Sequence, residues 1–442
     1  MNAVWIIFLF LLGACVGSFL NVVIYRLPRG ESIVLPSSHC PNCGRPIRWY
    51  DNIPLLSWVI LRARCRDCHT PISSRYFIIE AATAIRVAGL FILYYVVQVR
   101  GDAGAFAESW PTYASHAALL CGLLACSVVD IEQYIIPLEV MWFCSIVGMV
   151  AAGGVAITAA GAIDPHPLLA TVSPTTIAAA VAGAIGILIS LALLMWGFLQ
   201  PSFIDAAKHD GPVGQDASVK KSRRKASSAK PSPAPNTLAM LPRLLWYSGV
   251  ASLLGFVPGE HRPTANAQDI PMTASSGVNP RREVLREFVF LAPAFVLAIA
   301  VAIVFAAVPS VANAWAGLFD RSRFATLGPV LTGVGSALFG YLIGGLWIWG
   351  TRILGTLAFG KEAMGMGDVH ILAAVGAVTG WVVPSIVFFV APVIGLGWAV
   401  YLWIARKQPV LAYGPWLAAG TLAVLIFHDW FIERIAPVLG AY

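Results

Sequence analysis

The sequence predicts an all-α protein that crosses a membrane many times, with about 8–10 transmembrane helices and one small cytoplasmic loop organised by cysteines. Three observations carry this. Of the 442 residues 58% are hydrophobic and only 12% are charged, whereas a soluble domain carries about 25% charged residues. Apolar runs long enough for helices recur along the chain. Four cysteines stand in two C-x2-C pairs within the first polar loop, Cys40/Cys43 and Cys65/Cys68.

The apolar runs lie near 4–25, 77–98, 114–130, 138–162, 174–200, 288–309, 324–350, 369–389, 391–404 and 410–428. Spanning the hydrocarbon takes about 20 residues, so the short run 391–404 is the weakest of the ten. The first run has no basic residue before it and no small-residue cleavage site after it, and reads as a retained helix. The stretch 205–240, rich in Lys, Ser, Ala and Pro, cannot bury enough apolar surface to fold and reads as disordered. Residues 241–257 read as an interfacial helix.

Charge sets the orientation. Loop 26–75 holds eight Arg against three acidic residues and is placed in the cytoplasm. Loop 201–287 holds twelve Lys plus Arg against seven acidic residues and falls on the same side. The net charge of +7 is concentrated in such loops, so it signals topology and not a nucleic-acid partner. Helix parity then brings Asp130, at the end of one apolar run, and Asp368, in Gly365-Met-Gly367-Asp368, to the same cytoplasmic face.

Ionisable residues at a membrane boundary are costly, and two carboxylates that share a site can divide acid and base roles. Asp130 and Asp368 are therefore the candidate catalytic pair of an aspartic peptidase. Either residue alone reads better as a helix-end residue or N-cap, and it is the two together on one face that point to catalysis. Glu132, Glu139 and Glu362 read as solvated loop charges, and Glu80 and Arg86 as a pair on one helix face or as snorkelling side chains. Cys40, Cys43, Cys65 and Cys68, with 21 residues between the pairs, have the spacing of two knuckles that close a four-thiolate site. Four protein ligands leave no open position, so the metal, zinc, is structural. Cys15, Cys121, Cys126 and Cys144 lie in or near apolar runs and read as small buried hydrophobes.

These words occur together in one family. Gly17-Ser-Phe-Leu-Asn21, Cys40-Pro-Asn-Cys43, Asp51-Asn-Ile-Pro54, Cys65-Arg-Asp-Cys68, Ser73-Ser-Arg75-Tyr76, Ile136-Pro137, Glu362-Ala-Met-Gly-Met-Gly-Asp368 and Tyr413-Gly-Pro415 stand in family order. The chain resembles the bacterial prepilin peptidases, the type IV leader peptidase family of membrane aspartic peptidases with a GxGD motif. The resemblance implies a bacterial inner-membrane enzyme of type IV pilus or type II secretion systems. Its substrates would be prepilins or pseudopilins, cut at the cytoplasmic face by Asp130 and Asp368. It also implies N-methylation of the new N-terminus with S-adenosylmethionine, where that activity is retained.

Against the family pattern stand His370 for Lys, Ala63 for Gly, Leu138 for Asp or Asn, and Ala412-Tyr413 for Pro-Phe. The division that follows is 1–98 (first helix, zinc loop, second helix and the methyltransferase part), 114–162 (first catalytic aspartate), 163–350 (inserted helices around linker 201–287) and 351–428 (second catalytic aspartate). The family places about two helices between the aspartates, and this chain has four. The competing reading is a non-catalytic zinc-binding assembly protein of a pilus or secretion system, for which the insertion would be a docking element.

Overall fold

The computed structural model describes residues 2–159, 166–200, 202, 280–406 and 412–439. Among them all regular structure is helical, with three isolated β-bridges. The disordered linker and interfacial helix expected within 205–257 lie outside the described residues.

The first half runs α1 (Asn2–Arg26), the short α2 (Leu56–Ile60), α3 (Ser74–Phe91), α4 (Phe106–Gln133) and α5 (Leu138–Thr158). Then come α6 (Pro174–Met195), α7 (Pro280–Ala307), α8 (Pro309–Ala316), α9 (Leu327–Phe359), α10 (Met366–Thr379), α11 (Val382–Arg406), α12 (Gly414–Ile426) and α13 (His428–Leu439). Seven helices, α1, α3 to α7 and α9, are long and apolar enough to cross a membrane. The bent pair α12–α13 raises this to eight, and α10 and α11 contain shorter apolar segments. Each of the ten apolar runs is therefore helical over most of its described residues.

Helix ends follow local chemistry. Ser73 caps α3, its Oγ accepting the Arg75 N–H at 3.3 Å. Tyr134, in the left-handed region at φ 54°, ends α4 by donating its N–H to the Asp130 carbonyl. The structure departs from the run 369–389 at Gly380. Its φ of 79° ends α10 at Thr379, and α11 starts at Val382. Helix α7 begins at Pro280, seven residues inside the linker boundary at 287.

The chain forms two units. The first comprises Met1–Ala182, Ala298–Thr351 and Met364–Tyr442, and the second Gly183–Leu297 and Arg352–Ala363. In the first unit, small residues let helices meet backbone to backbone, the packing suited to lipid. A Cβ on Gly13 would lie 2.8 Å from Ala84 Cα and one on Gly17 2.7 Å from Glu80 Cα, so α1 lies directly on α3. Helix α10 is the centre of this unit: every residue from Ile371 to Thr379 is buried. On one side it meets α5 at Gly148, and on the other Gly376 and Gly340 bring α10 and α9 into backbone contact.

In the second unit a buried charge cluster joins helix ends. Arg352 sits 3.2 Å from a Glu287 carboxylate oxygen and 2.9 Å from one of Glu362. Glu283 pairs with Arg286 at 2.6 Å. Glu362 is thus an ion-pair partner, not a purely solvated charge.

Candidate active site and metal centre

The four cysteines occupy two matching turns. In the first, Cys40 N–H donates to Arg45 O and Gly44 N–H to Cys40 O, both at 2.9 Å. In the second, Cys65 N–H donates to Thr70 O at 2.9 Å and His69 N–H to Cys65 O at 3.0 Å. Gly44 and His69 hold equivalent left-handed positions, and the bridges His39–Pro46 and Arg64–Pro71 close the two turns.

The repeat faces all four sulfurs inward, within 4.8 Å of one another. Cys40 Sγ and Cys68 Sγ are 3.7 Å apart. Thiolates about 2.3 Å from one tetrahedral ion lie about 3.8 Å from each other, so the geometry fits such an ion. The hydroxyl of Thr70, 3.3 Å from Cys68 Sγ, together with the Thr70 backbone, lowers that thiol to about 5 and favours its ligand form. Asn42 Nδ2 reaches the same hydroxyl at 2.8 Å and ties the turns together. His39 and His69 fall outside the four-group cluster.

The loop is fastened at three places. Arg66 forks onto Asp51, holding that carboxyl below its usual range. Glu80 does not pair with Arg86: its carboxylate accepts the Leu55 N–H at 2.7 Å, where Leu55 has a φ of 62°. Arg75 meets Glu132 at 2.6 Å, joining the start of α3 to the end of α4 and giving Glu132 a partner.

The two aspartates converge in the first unit. Asp130 lies in the last turn of α4 and Asp368 in the first turn of α10, with exposures of only 6% and 8%. One point, the Cβ position of Gly414, lies 2.8 Å from Asp130 Oδ2 and 3.4 Å from Ile371 Cδ1, one turn past Asp368. Two glycines permit this. A Cβ on Gly367 would lie 2.8 Å from Ile136 Cβ, so the turn after Asp130 packs directly on the residue before Asp368. Gly414, heading α12, donates its N–H to Asp130 Oδ2 at 2.9 Å. Asp368 Oδ1 is buried with no hydrogen-bond partner among the described residues.

Sequence reasoning noted Tyr413-Gly-Pro415 without giving it a role. The signal available was a Gly-Pro pair just ahead of an apolar run, which marks a helix start with free N–H groups. His370, the residue in place of the family's Lys, stacks beside Trp142 with ring centroids 6.0 Å apart.

Fold and geometry describe a multi-pass helical protein with a four-cysteine centre and a buried aspartate pair. Residues 11–94 match the bacterial peptidase A24 N-terminal domain. The prepilin leader peptidase/N-methyltransferase of Myxococcus xanthus (strain DK1622) is 45% identical over 134 residues, which is 30% of this chain and 36% of the relative. The type 4 prepilin-like proteins leader peptide-processing enzyme of Escherichia coli O78:H11 is 38% identical over 146 residues, 28% of this chain and 48% of the relative. The prepilin leader peptidase/N-methyltransferase of Klebsiella pneumoniae is 38% identical over 148 residues, 31% and 59%. Over these stretches the chain is similar to prepilin peptidases, and its matches span between a third and three-fifths of those relatives' lengths. No solved structure matches it.

Proposed function

We propose that the chain is a membrane aspartic endopeptidase that removes the leader of type IV prepilins or pseudopilins at the cytoplasmic face of the bacterial inner membrane. The observation that carries the reading is that Asp130 and Asp368, both buried, stand on helix ends that pack together through Gly367 and Gly414. Isolated buried carboxylates are expensive, and a pair within mutual reach is the arrangement that splits acid from base.

One carboxylate takes a proton from a water whose oxygen adds to the scissile carbonyl carbon. The other, protonated, gives its proton to the carbonyl oxygen. Collapse of the tetrahedral intermediate breaks the C–N bond, and the leaving amine carries off a proton. The pair titrates as a unit. The basic 26–75 loop lies on the side where the leader would enter, and structural zinc on Cys40, Cys43, Cys65 and Cys68 would hold that loop together.

Relatives named for an N-methyltransferase match about 30% of the chain, and the peptidase A24 N-terminal match, residues 11–94, contains this loop. Methylation of the new N-terminus, using S-adenosylmethionine, is accordingly proposed as the second activity. Co-expression with a prepilin, read by intact mass, tests both. Cleavage removes the leader mass and methylation adds one methyl group. An unprocessed prepilin would instead support the non-catalytic assembly reading.

A further inference from the structure

The Tyr413-Gly414-Pro415 turn belongs to none of the residues given a chemical role above. Its hydrogen bonds can be accounted for one by one. The N–H groups of Trp416 and Leu417 both turn back to the Tyr413 carbonyl, at 3.0 and 3.2 Å. Pro415 has no N–H. The only backbone donor of this turn that leaves the helix is Gly414, and it goes to Asp130 Oδ2 at 2.9 Å.

Gly414 is not needed for an unusual backbone, since its φ lies outside the left-handed region. It is needed for space. A Cβ there would lie 2.8 Å from Asp130 Oδ2, 3.5 Å from its Cγ and 3.4 Å from Ile371 Cδ1. Ile371 is three residues past Asp368 on α10. One missing side chain therefore lets the head of α12 close onto both aspartate helices at once.

The bond also orients the carboxylate. With Oδ2 committed to Gly414, Asp130 Oδ1 accepts no hydrogen bond among the described residues. Asp368 Oδ1 has none either. Asp130 thus keeps one oxygen, and Asp368 at least Oδ1, free for chemistry.

We infer that Gly414 is the positioning residue of the pair: its N–H and its lack of a side chain together fix the orientation of the Asp130 carboxylate. The inference rests on the two-aspartate reading. Gly414 acts through Asp130 and touches no substrate.

The test uses the full-length protein purified in detergent and a prepilin with its leader intact, with kcat and KM measured separately. A 1 Å misplacement of a catalytic group can cost about 100-fold in rate, and Gly414→Ala should lose about that much kcat with KM unchanged. Gly89→Ala, where a Cβ meets nothing within 4 Å, is the control and should cleave normally. A Gly414→Ala enzyme with normal kcat, or one whose loss lies in KM, overturns the inference.

A second measurement guards against simple misfolding. The Gly414→Ala substitution is made in a chain that already carries Asp130→Ala, and thermal unfolding is followed. The added methyl should destabilise the Asp130 chain and be tolerated in the Asp130→Ala chain. Equal destabilisation in both backgrounds overturns the inference. Asp130→Asn and Asp368→Asn separate the two levels: if both still cleave, the peptidase reading fails. If both are dead while Gly414→Ala is normal, only the positioning role fails.

Discussion

Removing the metal should melt the cysteine loop and leave the helices standing. Between residues 27 and 73 the only buried residue is Ser57, so the loop has no apolar core of its own. Its two turns, 40–45 and 65–70, order a dozen residues at a cost of about 1 kcal/mol each or somewhat more. Structural zinc contributes about 10–16 kcal/mol in zinc-finger peptides, the same order as that cost. The salt bridges Arg45–Asp67 and Arg48–Asp67 involve arginines at least half exposed and add little.

The assay is limited trypsin digestion of purified protein, before and after chelation. Arg48, Arg62, Arg64 and Arg66 are the cleavage sites in and between the two turns, the Arg45–Pro46 bond being resistant to trypsin. Metal-loaded protein should resist cutting there. Chelated protein should be cut there first, and added zinc should restore protection. Cys43→Ser should behave as chelated protein does without any chelator. A sample shown to be metal-free whose loop still resists trypsin would refute the reasoning.

Other outcomes follow from the same geometry. Asp130→Asn and Asp368→Asn should each abolish prepilin cleavage, and the double variant should be no worse than either, because the pair acts as one unit; processed pilin is read by mass. Glu80→Ala strips the acceptor from the Leu55 N–H, costing about 1–3 kcal/mol where that N–H stays dry, and should speed proteolysis of the loop while the helices persist. Glu80→Gln keeps an acceptor and should be milder. Gly17→Leu should separate α1 from α3 and lower the yield of folded protein in membranes, since even a single Cβ would lie 2.7 Å from Glu80 Cα.

Much of this was legible in the sequence because lipid imposes a simple code. Each of the ten apolar runs is helical over most of its described residues, since a backbone in hydrocarbon must satisfy its own hydrogen bonds. The cysteine cluster was legible from spacing alone. What was not legible has a common cause. Gly414 serves Asp130 with a backbone donor 284 positions away, and a backbone donor leaves no mark in a side-chain pattern. Glu80 chose the Leu55 N–H over Arg86 for the same reason. The break at Gly380 was hidden because apolar residues continue on both sides of it.

Helix α9 has 33 residues, about 50 Å at 1.5 Å per residue, against a hydrocarbon slab of about 30 Å. It must tilt or protrude. The contact between Gly340 and Gly376 leaves no side-chain cushion between α9 and α10, so a change in tilt passes directly to the helix that starts beside Asp368. Lipid chain length should thereby act on the geometry of the aspartate pair. Cleavage rates in vesicles of graded acyl length would read that input, and rates indifferent to thickness would show that the two helices slip past one another.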